Sequence, residues 1–158
     1  YPFEPLSFGE KIQVSGETSG NIECNSELNE FWLWHGTSRA TADKIIETGF
    51  EPKLARMSGL YGAGSYFSSR SCKARQYCED RDCVMMLCRI VMGDAYGTHD
   101  KHTWEPLAPY RADGKTRHHS IWAAEGVANR GKQGHFEFVI FNGALAYPEF
   151  LVHFRHDG

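Results

Sequence analysis

The sequence predicts a strand-rich α+β domain, and three segments carry that prediction. Residues 31–35 (FWLWH) form a compact apolar run of the kind that makes a buried strand. Residues 83–92 (CVMMLCRIVM) are almost continuously apolar, which is typical of a strand covered on both faces. Residues 136–141 (FEFVIF) are rich in aromatic and branched side chains and predict a third strand. We therefore expect a sheet with two or three short helices.

A helix is predicted directly after the first strand. Thr37 or Ser38 offers an N-cap, and Gly49 suits the C-terminal end. Its apolar face is predicted to comprise Ala42, Ile45 and Ile46.

A second strand and helix follow a loop over residues 51–64. Residues 65–68 predict a short strand. Ser69 or Ser71 can cap a helix that runs through Cys78.

The second half of the chain has fewer regular signals. Residues 94–134 predict one long loop, and a loop of that length in a compact domain usually serves function. Residues 149–154 predict a last strand, joined to the strand at 136–141 by a turn through Gly143 and Pro148. Residues 1–30 look irregular apart from a short strand at 11–15. We therefore divide the chain into an N-terminal extension, residues 1–30, and a domain at residues 31–158.

Composition narrows the class of protein. The 158 residues suit one domain, and the formal net charge of −3 does not favour nucleic acid as a partner. The five cysteines form an odd set without a paired framework, which favours a reducing compartment, cytoplasmic or nuclear, with a secreted effector as the alternative. No apolar run approaches the roughly 20 residues of a membrane span. Because the chain begins at Tyr1, we expect it to be a fragment of a longer protein.

Two glycine-containing segments predict close approach to a flat ligand. His35 precedes Gly36, whose bare backbone could offer both N–H and C=O to a planar carboxamide. A strand-end histidine is more often structural, so His35 alone is a weak signal. Gly59, Gly62 and Gly64 lie in a loop that is not a Rossmann fingerprint, because no long helix follows it.

Two tyrosines and one glutamate are the other candidate site residues. Tyr66 and Tyr77 flank a helix and could sandwich a heterocycle, although each is individually as well explained as a core or surface residue. Glu137 alternates with Phe136 and Phe138 along one strand and so faces the opposite side. A carboxylate in an interior strand is uncommon unless it is paired or functional.

The cysteines do not predict a metal site. Cys83 and Cys88 are an odd number of residues apart, so they would point to opposite faces of one strand and could not share a tetrahedral ion. The pair His99 and His102 is a weak ligand signal. We expect structural thiols and no metal.

Five ordered segments together resemble the catalytic domain of poly(ADP-ribose) polymerases, and within that family they look most like tankyrase. The resemblance covers about four-fifths of the chain. The segments are WLWHGTS (32–38), GLYGAGSYFSS (59–69), LCRIVMGDAY (87–96), HHSI (118–121) and FEFVIFNGALAYPEFLV (136–152). The fold that this implies is the ADP-ribosyltransferase fold, a mixed, mainly antiparallel split sheet around an NAD crevice.

The resemblance implies a role for each candidate. His35 would bond the adenosine ribose, and the Gly36 backbone would hold the nicotinamide carboxamide. Tyr66 and Tyr77 would stack around the nicotinamide ring, and Glu137 would accept a hydrogen bond from the ribose 2′-hydroxyl. The implied catalytic residues are Glu137, His35 and Tyr66, and the implied NAD contacts also include Thr37, Phe67 and Ala74.

Residues 1–30 lack the helical start common in the family, and two further departures concern the site. Ala74 stands where the family usually has a serine that bonds the carboxamide. The stretch 78–88 is shorter than the tankyrase zinc segment and lacks its histidine, so no zinc is carried over.

The resulting expectation is an NAD-dependent ADP-ribosyltransferase that modifies a protein acceptor and releases nicotinamide, with single transfer and chain elongation both open. The alternatives are a degenerate module that binds NAD or ADP-ribose without transfer, and an NAD glycohydrolase of the effector type.

Overall fold

The computed structural model of the chain describes residues 24–52, 59–78, 82–98, 100, 106–123 and 136–155, with the backbone alone at residues 82, 83, 154 and 155. The strands are β1 (Glu30–Thr37), β2 (Ser65–Ser68), β3 (Asp82–Val91), β4 (Ala95–Thr98), β5 (Ser120–Ala123), β6 (Glu137–Ile140) and β7 (Ala146–Arg155). The helices are α1 (Arg39–Thr48) and α2 (Ser71–Ala74), and 3-10 turns occur at Ser26–Leu28, Arg75–Tyr77 and Gly143–Leu145.

The strands form one sheet in the order β4-β5-β6-β2-β1-β3-β7. Strands β4 and β5 are parallel, and the other neighbours are antiparallel. Strand β1 pairs with β3 along its whole length but meets β2 at one pair, Trp34 opposite Ser68. The sheet therefore divides into two halves beside the end of β1, which confirms the predicted α+β class and its mixed, mainly antiparallel sheet.

Helix α1 begins and ends where the sequence predicts. The Ser38 side chain accepts a hydrogen bond from the Thr41 N–H, and Gly49 ends the helix with a φ of 82°. Of the predicted apolar face, Ala42 and Ile45 are buried. Ile46, the third residue assigned to that face, is 53% exposed and so does not share it. It follows Ile45 by about 100° around the helix, which turns its side chain away from the narrow contact with the sheet.

The second helix differs from the prediction. α2 is a single turn that passes into the 3-10 turn at Arg75–Tyr77, and its N-cap is Arg70, without a side-chain cap. Neither predicted serine cap is therefore correct. The hydroxyl of Ser68, at the end of β2, instead accepts a hydrogen bond from the Arg70 N–H and shapes the turn into the helix.

The predicted loop at 94–134 is wrong at β4 and β5. Both strands have four residues, which is too short for a period-2 pattern to stand out. Their stability comes from neighbours, since β5 lies between β4 and β6 and Ile121 is fully buried. Such strands are specified by pairing more than by local sequence.

The predicted turn at Pro148 is also wrong, because β7 runs through that residue. Strand β7 pairs only with β3 among the described strands, and an edge strand tolerates a residue without an N–H. The register shifts by one residue beside Pro148. Strands β6 and β7 follow each other in the chain but lie three strands apart in the sheet. The predicted strand at 11–15 lies outside the described residues.

Candidate functional site

A crevice of about 970 Å³ opens where β1 and β2 diverge. Its walls are the end of β1, one face of α1, the loop before β2, and the α2 region. Glu137, at the start of β6, lies within it. A smaller pocket at the inner end is lined by Trp34, Gly36, Tyr66, Phe67, Ser68, Lys73, Ala74, Tyr77 and Glu137.

His35 bridges the two strands at the point where their backbone pairing stops. Its Nδ1 lies 2.8 Å from the Tyr66 carbonyl oxygen. A carbonyl only accepts, so Nδ1 carries the proton and the neutral ring presents Nε2 as an acceptor. Burial lowers the pKa of His35, which favours this neutral form. The ring stands edge-on to Phe50 at 5.1 Å, and we expect it to accept a bond from a ligand hydroxyl.

Gly36 allows α2 to lie directly against β1. A Cβ at this position would overlap the carbonyl oxygen of Ala74. Ala74 is itself buried, at 2% exposure. The close approach of these two backbones, which only glycine permits here, forms the narrow floor of the inner pocket.

The two tyrosines have different surroundings. Tyr66 is partly buried, and its hydroxyl bonds the backbone of the preceding loop. Tyr77 follows α2 and is 50% exposed. Both line the crevice and the inner pocket. The structure thus brings together the two rings that the sequence proposes as a sandwich.

Glu137 is 5% exposed and forms an ion pair with Lys73, whose Nζ lies 2.9 Å from Oε1. Burial acts to lower the pKa of Lys73, but the hydrogen bond and charge of Glu137 outweigh it and raise the pKa. The ammonium also lies 5.6 Å from the centre of the Tyr77 ring. The Lys73 ammonium therefore fixes the position of a buried carboxylate in the crevice.

Lys73 is a site residue that the sequence reasoning missed. Its signal is its spacing, because residues 73 and 77 are four apart and share one face of a helical turn. The sequence reasoning also missed that α1 lines the crevice. Thr41, Lys44, Ile45 and Thr48 recur at helical spacing and lie on the side of α1 that faces it. Lys44 is exposed and makes no ion pair with any residue that the structure describes.

The predicted site residues all lie at this crevice or its inner pocket. Thr37 lines the outer part. Phe67 lines the inner pocket and is 3% exposed, and its ring packs 5.3 Å from His35 and 5.1 Å from Phe50. Phe67 thus packs against the His35 ring and helps to fix its position. Their roles toward a ligand stay predictions.

Among the described residues, no group of three or more His, Cys, Asp or Glu side chains is placed to hold a metal ion. Within this described part of the chain, Cys24, Cys72, Cys78 and Cys88 form no disulfide. The side chain of Cys83 and both His99 and His102 lie outside the described residues. In the same part of the chain, no helix is long and apolar enough to cross a membrane.

Comparison with known proteins finds a matching family and related curated proteins. Residues 9–156 match the poly(ADP-ribose) polymerase catalytic domain. The chain is also 25% identical over 148 residues to the mouse (Mus musculus) protein named protein mono-ADP-ribosyltransferase PARP12. That alignment covers 92% of the chain and 19% of the relative, so the chain spans about a fifth of the length of this curated protein.

Proposed function

The chain belongs to the poly(ADP-ribose) polymerase catalytic domain family, and on that premise we propose that it is an NAD-dependent ADP-ribosyltransferase acting on a protein acceptor. The observation that carries the proposal is the buried Glu137 carboxylate, held by Lys73 in one crevice with His35 and Tyr66. A structural glutamate on a solvated strand face would be neither buried nor surrounded by these side chains.

The residues of the crevice fit NAD. Gly36 and Ala74 form the floor of the inner pocket, and Tyr66 and Tyr77, which line both this pocket and the wider crevice, would flank a carboxamide ring there. His35 lines the crevice but not the inner pocket, and its acceptor Nε2 suits a ribose hydroxyl. The crevice as a whole, about 970 Å³ and lined by α1 on one side, suits a ligand of dinucleotide size.

Glu137 supplies the chemistry that the chain contributes. Breaking the bond between ribose C1′ and the nicotinamide nitrogen leaves the electron pair on nicotinamide, which departs neutral. The sugar gains positive charge in the transition state, and a preorganised carboxylate stabilises that charge. Lys73 holds the carboxylate in place through their ion pair. A nucleophile of the acceptor then bonds C1′, and its proton passes to solvent.

The finer assignments are part of the proposal. Assignment to the tankyrase subgroup rests on the five motif segments. The name of the mouse relative favours transfer of a single unit. We also propose a domain boundary near residue 31, an intracellular location based on the odd set of cysteines, and no role for nucleic acid, based on the net charge of −3.

Incubation with NAD labelled in the adenylate part, followed by a denaturing gel, tests the proposal. Transfer puts label on protein, as one band for single units or a ladder for chains. Free labelled ADP-ribose without labelled protein would indicate a glycohydrolase instead.

A chain that binds NAD and produces neither would support the second candidate, a binding module. The observation that favours that candidate is Ala74 in place of the family serine.

A further inference from the structure

We propose that the Tyr66 hydroxyl is a positioning group that fastens the turn at residues 59–62 as one wall of the crevice, so that binding of a dinucleotide depends on it and binding of a single-ring ligand does not. The inference rests on the proposed function, since the dinucleotide is NAD.

The hydroxyl is fully engaged with the backbone of that turn. It accepts a hydrogen bond from the Tyr61 N–H at 2.9 Å and donates one to the Gly62 carbonyl at 2.8 Å. A single group thus bonds two consecutive residues of the turn. Burial raises the pKa of Tyr66, so the hydroxyl keeps its proton and remains a donor throughout the working pH range.

The turn is built around this contact. A Cβ at Gly59 would overlap the Tyr66 hydroxyl, and Gly62 has a φ of 95°, which favours glycine. The Gly62 N–H also bonds the Gly59 carbonyl at 3.4 Å. Tyr61 is 1% exposed in a core cluster, so the turn is anchored on its far side as well.

The ring and the hydroxyl of Tyr66 serve different parts of the crevice. The inner pocket is lined by the Tyr66 ring and by no residue of the turn. The crevice is lined in addition by Gly59 and Leu60 of the turn and by residues of α1. A single ring held between Tyr66 and Tyr77 contacts residues common to the pocket and the crevice, whereas a dinucleotide also extends to the turn and α1.

Calorimetric titration of the chain with NAD and with benzamide, which carries the carboxamide ring alone, separates the two roles. Tyr66→Phe keeps the ring and removes both bonds. We expect the Kd for NAD to rise roughly five- to fiftyfold, from two lost hydrogen bonds. The Kd for benzamide should change less than about twofold. In transfer assays KM for NAD should rise while kcat changes little.

Two further variants keep the test decisive if Tyr66→Phe folds poorly. Gly59→Ala disturbs the same contact from the turn and should give the same split between NAD and benzamide. Tyr147→Phe removes a hydroxyl on the exposed edge strand and should change neither Kd.

The results that contradict the inference are specific. Equal losses for NAD and benzamide would show that the hydroxyl acts through the ring, and unchanged NAD affinity would show that the turn is no part of the site. A wild-type chain that binds benzamide but not NAD overturns this inference, and one that binds neither overturns the proposed function with it.

Discussion

Glu137 shows how a single side chain is read differently in sequence and in structure. Its alternation with Phe136 and Phe138 places it on the opposite face of β6, and that expectation is confirmed, since Phe138 packs against Phe31 while Glu137 faces Lys73. A charged group buried in this way costs stability unless a partner compensates it. The partner is Lys73, and the pair is the electrostatic centre of the site.

Glu137→Gln tests the assignment of that carboxylate. Because it acts mainly on the charge that develops at the ribose, we expect the transfer rate to fall on the order of 10²–10³-fold. NAD affinity should change far less. Rates of labelled transfer and calorimetric Kd values check this, with Glu149→Gln on the edge strand as the control. A Glu137→Gln chain that labels protein at a near wild-type rate would remove Glu137 from the mechanism.

Lys73→Met tests how the carboxylate is held. Without the ammonium that lies 2.9 Å from its Oε1, the carboxylate is no longer fixed beside the ribose, so we expect kcat to fall on the order of 10²-fold. Lys73→Arg keeps the charge and should restore most of the wild-type rate. If Lys73→Met leaves kcat unchanged in a folded chain, Lys73 does not position the carboxylate for the reaction.

The short helix α2 helps to shape the inner pocket. It lies against Gly36 of β1, so its backbone forms the floor of the inner pocket. The Ala74 N–H bonds the Arg70 carbonyl at 3.3 Å, which places residue 74 at the end of the helical turn. A change of side chain there alters the pocket without altering the crevice around α1.

Ala74→Ser should tighten binding of benzamide-type ligands by roughly two- to tenfold, because one net hydrogen bond is worth about 0.5–1.5 kcal/mol. The gain requires that the hydroxyl reach the ligand amide rather than the carbonyl of its own helix. Calorimetry measures it, and Cys72→Ser, exposed on the same helix, is the control.

If Ala74→Ser has no effect while Tyr77→Ala abolishes binding, the stacking site is right and residue 74 does not face the amide. If neither substitution matters, the carboxamide pocket lies elsewhere.

The stability of the fold depends on strands β1, β3 and β7, two of which the sequence predicts from long apolar runs. Strand β3 lies between β1 and β7, and Met86 on it is fully buried opposite His35 of β1 and Leu151 of β7. The position therefore connects the core to the wall of the crevice.

Met86→Ala should lower the free energy of unfolding by about 2–5 kcal/mol, the usual cost of a cavity left by a buried large side chain. Denaturant unfolding with an unchanged slope would measure it. Ile46→Ala is the matched control, since Ile46 is exposed on α1 and should change stability by no more than about 0.5 kcal/mol. A cost as large at Ile46 as at Met86 would contradict the described packing.

The sequence alone was sufficient to predict β1, β2, β3, β6 and the start and end of α1. These elements are long apolar or aromatic runs, or have caps such as Ser38 and Gly49, so local physics specifies them. It also singled out residues that the crevice brings together. Gly36 is a glycine at the end of a buried strand, and Glu137 is a carboxylate within an apolar strand. Strands β4 and β5 could not be predicted, since four residues carry too little pattern.

The arrangement of these elements required the tertiary structure. No local signal indicates that β6 and β7, neighbours in the chain, are separated by three strands, or that β1 and β2 meet at one residue pair and then diverge. The pairing of Lys73 with Glu137 has the same origin, because the two residues are far apart in sequence. Local sequence sets what each segment can form, whereas burial and long-range pairing decide which segments meet, and the crevice exists only where they do.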